Sequence, residues 1–253
     1  MQEALKREFI TQYLDEDGLG HLENEKGLQH TTNSNGILFA VYGYMQLHRL
    51  GINDGADFLR FYHAVKSLTV EPGLYMRRPN TQQIPESHDN RAAIAIGSCL
   101  FDCTFARDLV DYGTRKGFQY SNQDTSKYSL NQLTQGGDIA LYKICAGYLP
   151  YPTEWVWLLV GMLVGILSYN KPRHNGPSVM NLFYLRAYGI DVAFKRYTIG
   201  ASALWYPFHL SWNFCKPLLF WLASKKMGGF NVSLQAYFSK DHVITRMSML
   251  QSK

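Results

Sequence analysis

Apolar residues recur at helical spacing in almost every periodic segment of this 253-residue chain, and polar segments separate them. Ile37 to Leu50 is typical, because it follows Asn35-Gly36 and stops at Gly51, a residue that commonly ends helices. The sequence shows neither an alternation of strands and helices nor a repeat of fixed length. The pattern therefore predicts an all-α protein.

Several loops between the predicted helices are longer than the connections of about 2 to 8 residues that are usual in bundles. Paired helices with long loops gathered on one rim would form an α/α-toroid-like layout, and an irregular helical domain is the alternative. We expect a single helical domain over residues 1–253, which could be subdivided near 148–153. Within it we predict a helix that starts at Asp54 or Asp57, helices at Arg91–Phe105, Ser202–Lys226 and Ser233–Tyr237, a long polar loop at Thr114–Leu133, and a tail starting near Asp241.

Composition and charge exclude several classes of protein. The net charge of +5 is spread along the chain, whereas nucleic-acid-binding proteins usually have a clustered basic face. The four cysteines lack metal-site spacing, so we predict buried free thiols in a reducing compartment. The longest uncharged apolar run, Trp155 to Leu167, is shorter than the about 20 residues that a membrane span needs. We predict buried helices there and at Leu204–Ala223, and no membrane span.

The densest cluster of polar residues precedes the predicted helix Arg91–Phe105. His88 and Asp89 are the candidate catalytic residues, because Asp can orient His or can act as an acid or base when burial tunes its pKa. Helix capping by Ser87 and Asp89 is the alternative explanation. The arginines could hold an anionic sugar. The candidate ligand-binding residues are Tyr75, Arg77, Arg78, Asn90 and Arg91.

Other candidate sites give weaker signals. Four carboxylates near predicted loops could supply the facing pair that glycosidases use: Glu23, Asp89, Asp124 and Asp138. The many aromatic residues could be sugar platforms or core residues. Asp15 to Glu25 resembles a calcium loop, but Leu19 and Lys26 break the EF-hand spacing, which favours a solvated acidic turn. We predict no metal site and no cofactor, since no zinc-protease, P-loop or dinucleotide motif occurs.

Four segments resemble uncharacterised proteins of tailed bacteriophages: Leu74–Asn80, Ser87–Asn90, Gly137–Gly147 and Tyr237–His242. In such proteins we expect an acid after Ser-His-Asp, where this chain has Asn90. The resemblance implies a helical layout similar to that of α/α-toroid glycan enzymes.

Two functions follow as expectations from this resemblance. The first is a virion or virion-associated protein that binds neighbouring virion proteins or a host-surface glycan, as part of an assembly. It would be located in the virion or in the cytoplasm of the infected host. The alternative is a glycan- or peptidoglycan-cleaving hydrolase or lyase that uses Ser87, His88 and Asp89. A cleft with a second carboxylate would favour the enzyme, and an exposed face among the five tryptophans would favour assembly.

Overall fold

A computed structural model describes residues 1–20, 22–23, 29–30, 36–77, 79, 88–118, 120, 136–168, 176–197, 202–227 and 241–250. These ranges contain ten α-helices: α1 Gln2–Glu8, α2 Gly36–Leu50, α3 Gly55–Leu68, α4 His88–Phe101, α5 Phe105–Arg115, α6 Gly136–Ala146, α7 Pro152–Ser168, α8 Gly176–Arg196, α9 Tyr206–Met227 and α10 Val243–Met249. Two short antiparallel hairpins accompany them, β1 Leu22–Glu23 with β2 Gln29–His30 and β3 Thr69–Glu71 with β4 Leu74–Tyr75. The prediction of an all-α fold is confirmed.

Helix α4 lies at the centre of the fold and contacts α2, α3, α5, α6 and α8. Its residues from Ala92 to Ile96 are completely buried, as expected for a helix that is apolar on all sides. A Cβ atom added to Gly97 would lie 2.3 Å from the ring of Phe61, so glycine lets α3 approach closely. Asp102, with a φ of 56°, follows the end of α4.

The observed bounds of α4 differ from the predicted helix Arg91–Phe105. The helix begins at His88, so both candidate catalytic residues lie in its first turn and not in a loop. It ends at Phe101, and a separate helix, α5, follows from Phe105. The hairpin of β3 and β4 was not predicted, because strands of two or three residues are too short to show an alternating pattern.

A cluster of charged residues fixes the start of α3. Asp54 caps this helix, accepting hydrogen bonds from the backbone N–H of Ala56 and Asp57, and Asp57 accepts one in return from the Asp54 N–H. The Lys6 ammonium lies 2.7 Å from the Asp54 carboxylate and 2.8 Å from the fully buried carboxylate of Asp57. The start predicted from the two aspartates is therefore correct, and the same cluster ties α1 to α3.

The prediction of a tail starting near Asp241 is wrong, because Val243–Met249 form the helix α10. This helix packs against α1 and α2, and Arg246 forms an ion pair with Glu8. Val243, Ile244 and Met247 are buried. A helix of seven residues has little stability of its own and is formed here by burial of its apolar face, which local sequence cannot reveal.

The two aromatic helices bury only one side, although both were predicted to be buried. Trp155 of α7 and Trp212 of α9 face the core. The opposite sides carry large exposed apolar residues, which we call the apolar rows: Val156, Trp157, Val160, Val164 and Leu167 on α7, and Tyr206, Leu210, Phe214, Leu218 and Trp221 on α9. Within the described ranges, no helix combines the length and the apolarity needed to cross a membrane.

The buried residues form one core that includes residues from Leu5 to Met247. All four cysteines are free, and Cys99 and Cys145 are buried, as predicted, whereas Cys103 and Cys215 are only half-buried. The toroid-like layout, the gathering of loops on one rim and the domain limits stay predictions. Much of the long predicted loop at Thr114–Leu133 and the short helix predicted at Ser233–Tyr237 lie outside the described residues.

Candidate functional site

The first turn of α4 meets α6 and α8 at a cluster of charged side chains. His88 Nδ1 lies 2.8 Å from Asp138 Oδ2, which joins the start of α4 to the first turn of α6. Arg186, from the middle of α8, donates a hydrogen bond to the other carboxylate oxygen, Oδ1. Asp138 is 1% exposed and Arg186 is 5% exposed, while the side chain of His88 is 17% exposed. Three helices therefore hold one carboxylate between a guanidinium and an imidazole.

The two partners of Asp138 keep it ionised. Burial alone would raise the pKa of this carboxyl, but the Arg186 guanidinium and His88 together hold it well below its usual range. Ionised Asp138 accepts a hydrogen bond from His88 when Nδ1 carries the proton. In the neutral imidazole this arrangement leaves Nε2 as the ring nitrogen that can take up a proton. The orientation of His88 is thus imposed by a residue 50 positions away in the sequence.

The pKa of Asp89, the next residue of α4 after His88, is shifted in the opposite direction to that of Asp138. Burial raises its pKa to about 6, and this effect outweighs the lowering by His88. The negative charge of Asp138 raises the pKa further, whereas the charges of Arg186 and Arg77 lower it. Asp89 is half-buried, and its pKa lies nearer to neutral pH than that of an ordinary carboxyl. The site therefore contains two carboxylates with pKa values displaced in opposite directions.

One turn further along α4, Arg91 is completely buried. Its Nε lies 3.4 Å from the hydroxyl of Tyr142, and its guanidinium carbon lies 4.6 Å from the ring centre of Tyr120. The Tyr120 hydroxyl donates to the carbonyl of Leu109 at 2.7 Å. Burial raises the pKa of Tyr142 above its usual range. These contacts place Arg91 in the packing beneath the site.

The structure brings only part of the predicted set together. His88 and Asp89 share one turn, and half-buried Arg77 is close enough to affect the pKa of Asp89. Tyr75 and Asn90 are almost fully buried like Arg91, so in this conformation they can support the site but offer a ligand no surface. Arg78, Ser87 and Asp124 lie outside the described residues, as does the side chain of Glu23.

From the sequence, Asp138 was predicted only as one of four candidate carboxylates, and Arg186 was not predicted to belong to the site. Arg186 stands between Leu185 and Ala187 in a largely apolar stretch, and a charged residue in such a stretch is a sign of a buried ion pair. Of the five aromatic residues predicted as sugar platforms or core residues, Tyr128 lies outside the described residues. The other four are buried, which agrees with the core interpretation: Tyr75, Tyr120, Tyr142 and Trp205.

The described residues form no candidate metal site. Among the described residues, no group of three or more His, Cys, Asp and Glu side chains could hold a metal ion. In the acidic segment, Asp15 Oδ1 accepts a hydrogen bond from the backbone N–H of Leu19 at 2.7 Å, and Glu16 and Asp17 are exposed. This geometry is that of a solvated turn.

Comparison with models of known families, with curated protein sequences and with solved structures finds no match for this chain. The class of protein is therefore defined by the fold and the site alone. It is an all-α protein with an oriented histidine and a carboxyl of raised pKa at the start of its central helix. The resemblance to phage proteins stays a prediction.

Proposed function

We propose that the first turn of α4 performs acid–base cleavage of a glycan, with His88 as the base and Asp89 as the acid. The observation that supports this most directly is the pairing of a histidine oriented by ionised Asp138 with an adjacent carboxyl whose pKa is about 6. Titratable neighbours whose environments displace their pKa values in opposite directions are typical of acid–base sites.

The contacts of Asp138 favour one chemical role for each group. Both carboxylate oxygens of Asp138 form hydrogen bonds, one with Arg186 and one with His88. Asp138 is therefore poorly suited to act as the nucleophile of a two-carboxylate glycosidase. His88 is then the better base, since its Nε2 can accept a proton while Asp138 holds Nδ1. Neutral Asp89 would protonate the leaving sugar oxygen.

Arg77 extends this proposal to the class of substrate. Its charge acts on Asp89, and the side chain is only half-buried. A guanidinium at that position would bind the carboxylate of an acidic sugar and stabilise the negative charge that develops when a base removes the adjacent proton. The reaction would then be β-elimination: His88 takes the ring proton, a C=C bond forms, the glycosidic C–O bond breaks, and Asp89 protonates the leaving oxygen. We propose an acidic polysaccharide as the substrate.

The second proposal is that these groups bind a host-surface glycan without cleaving it, in a virion-associated protein. The contacts of Asp138 with Arg186 and His88 favour it, since they would also hold in place a site that binds a glycan without reacting with it. A virion location is compatible with either proposal.

A cleavage assay on acidic and neutral glycans and on peptidoglycan tests the two proposals. We expect His88→Gln and Asp89→Asn each to lower turnover about 100-fold or more, which is the usual contribution of a general acid or base. Asp111→Asn, which changes an exposed carboxylate of α5, is the matched control. In the wild type, turnover should fall as the pH rises above about 6, because Asp89 loses the proton that it donates.

The products separate the mechanisms. The ultraviolet absorbance of an unsaturated sugar would support elimination, and a new reducing end without that absorbance would indicate hydrolysis. Glycan binding that His88→Gln abolishes, in a wild type without turnover, would favour the second proposal. Full turnover in both site variants would refute the assignment of His88 and Asp89.

A further inference from the structure

Helices α7 and α9 pack against each other, and the apolar rows are exposed on their outer sides. Trp157 is 61% exposed and Phe214 is 82% exposed. Isolated exposed apolar residues are common, but rows at three- and four-residue spacing on neighbouring helices form a surface that usually binds something.

The charges on the two helices are mainly positive. Helix α9 contains three lysines and no acidic residue, and the one acidic residue of α7, Glu154, is paired with Lys143. The carboxylate of Asp191 already binds Lys216 and the indole N–H of Trp212. Exposed Lys225 ends the row of α9, with its Nζ 4.8 Å from the ring centre of Trp221. The partner of this surface should therefore be apolar and negatively charged.

We propose that the apolar rows of α7 and α9 dock onto a membrane surface that contains anionic phospholipids. The helices would lie in the interface, with Trp157, Phe214 and Trp221 entering the boundary between headgroups and acyl chains. Tryptophan suits this depth, because its ring is apolar and its N–H is polar. Lysines such as Lys225 would reach the lipid phosphates while their methylene groups stay in the apolar layer.

Charge complementarity favours this occupant over a second copy of the chain. A two-fold symmetric dimer presents the same patch from both subunits, so the lysines of α9 would face each other, and α9 has no acidic residue to neutralise them. An anionic bilayer supplies both the apolar phase and the opposite charge. The proposal does not depend on the chemistry of the α4 site, since none of its residues is shared with that site.

Vesicle sedimentation tests the proposal with the full chain. The probes are vesicles of phosphatidylcholine with phosphatidylserine, and vesicles of phosphatidylcholine alone. We expect Phe214→Ser to weaken binding to the mixed vesicles about tenfold, because one buried aromatic side chain contributes that much. The matched control is Leu59→Ser, which removes an apolar residue that is 52% exposed on α3, and it should bind as the wild type does.

Fluorescence and charge reversal provide independent readouts. Trp157 and Trp221 are exposed and the other three tryptophans are buried, so the emission of the exposed pair should shift to shorter wavelength when mixed vesicles are added. Lys225→Glu and added salt should both weaken binding to the mixed vesicles.

Three results would overturn the proposal. Wild-type protein that stays in solution with mixed vesicles at low salt would exclude lipid as the occupant. Equal binding to both kinds of vesicle would refute the role of the basic residues. A dimer that Phe214→Ser dissociates, without vesicle binding by the wild type, would assign the apolar rows to a second copy. Glycan cleavage by Phe214→Ser should match that of the wild type, so the two proposals can fail separately.

Discussion

Asp89→Asn should stabilise the protein at neutral pH while it removes the proposed acid. A pKa of about 6, against the ordinary value of 3.8, means that ionising Asp89 costs the folded state up to about 3 kcal/mol, at about 1.4 kcal/mol per pKa unit. Asparagine has nearly the same shape and cannot ionise. The variant should therefore be more stable than the wild type wherever Asp89 is charged.

The sign and the pH range follow from proton linkage. Below the unfolded pKa of 3.8, Asp89 is protonated in both states and contributes no difference. As the pH rises towards about 6, the unfolded chain releases its proton first, so the wild type loses stability relative to the variant. Above about pH 6 the difference should level off at up to about 3 kcal/mol.

Urea unfolding at about pH 4 and about pH 8 measures this difference directly. Asp111→Asn, on the exposed side of α5, controls for the general effect of removing a negative charge. A carboxylate that merely complements the helix dipole would give the opposite result, with the variant less stable at pH 8 by about 0.3 to 1 kcal/mol. That outcome, or a difference that does not change with pH, would refute our account of Asp89.

Two further predictions concern the supports of the site. Asp138→Asn should destabilise the protein by about 3 to 5 kcal/mol, because it leaves Arg186 buried without its carboxylate, and an unchanged melting temperature would contradict the ion-pair network. Gly97→Ala should cost about 1 to 3 kcal/mol in urea unfolding, since the new Cβ would press on the ring of Phe61. Gly55→Ala is its control, because a Cβ there meets no atom within 4 Å, and a large loss of stability in that variant would show that close packing is not the cause.

Local pattern was sufficient for the class of the fold and for several helix boundaries. The period of apolar residues in α2 and the two aspartates at the start of α3 act within a few residues of each other, so their effects can be read from sequence. The hairpin of β3 and β4 and the helix α10 could not be predicted in this way. Both are short, and α10 is formed by packing against α1 and α2 at the other end of the chain.

From the sequence, we could predict only those parts of the candidate site that lie within one helical turn of each other. His88 and Asp89 are adjacent in sequence, so their common position was evident, and Asp138 was one candidate among four. The contacts of Asp138 with His88 and Arg186 were not evident, because they depend on how α4, α6 and α8 pack. Arg91 illustrates the converse error: the residue type suggested a ligand contact, but its position on α4 turns it into the core.

The contrast between the two carboxylates is the strongest argument that the site has a function beyond stability. Asp138 needs no such function, since Arg186 matches its charge and His88 forms a hydrogen bond with it. Asp89 is different, because its ionisation opposes folding and a neutral residue of the same shape would remove that cost. A group held where it destabilises the protein at neutral pH, next to an oriented histidine, is what proton transfer requires. Structural capping would not require the raised pKa, so Asp89 is the residue on which the enzymatic proposal depends.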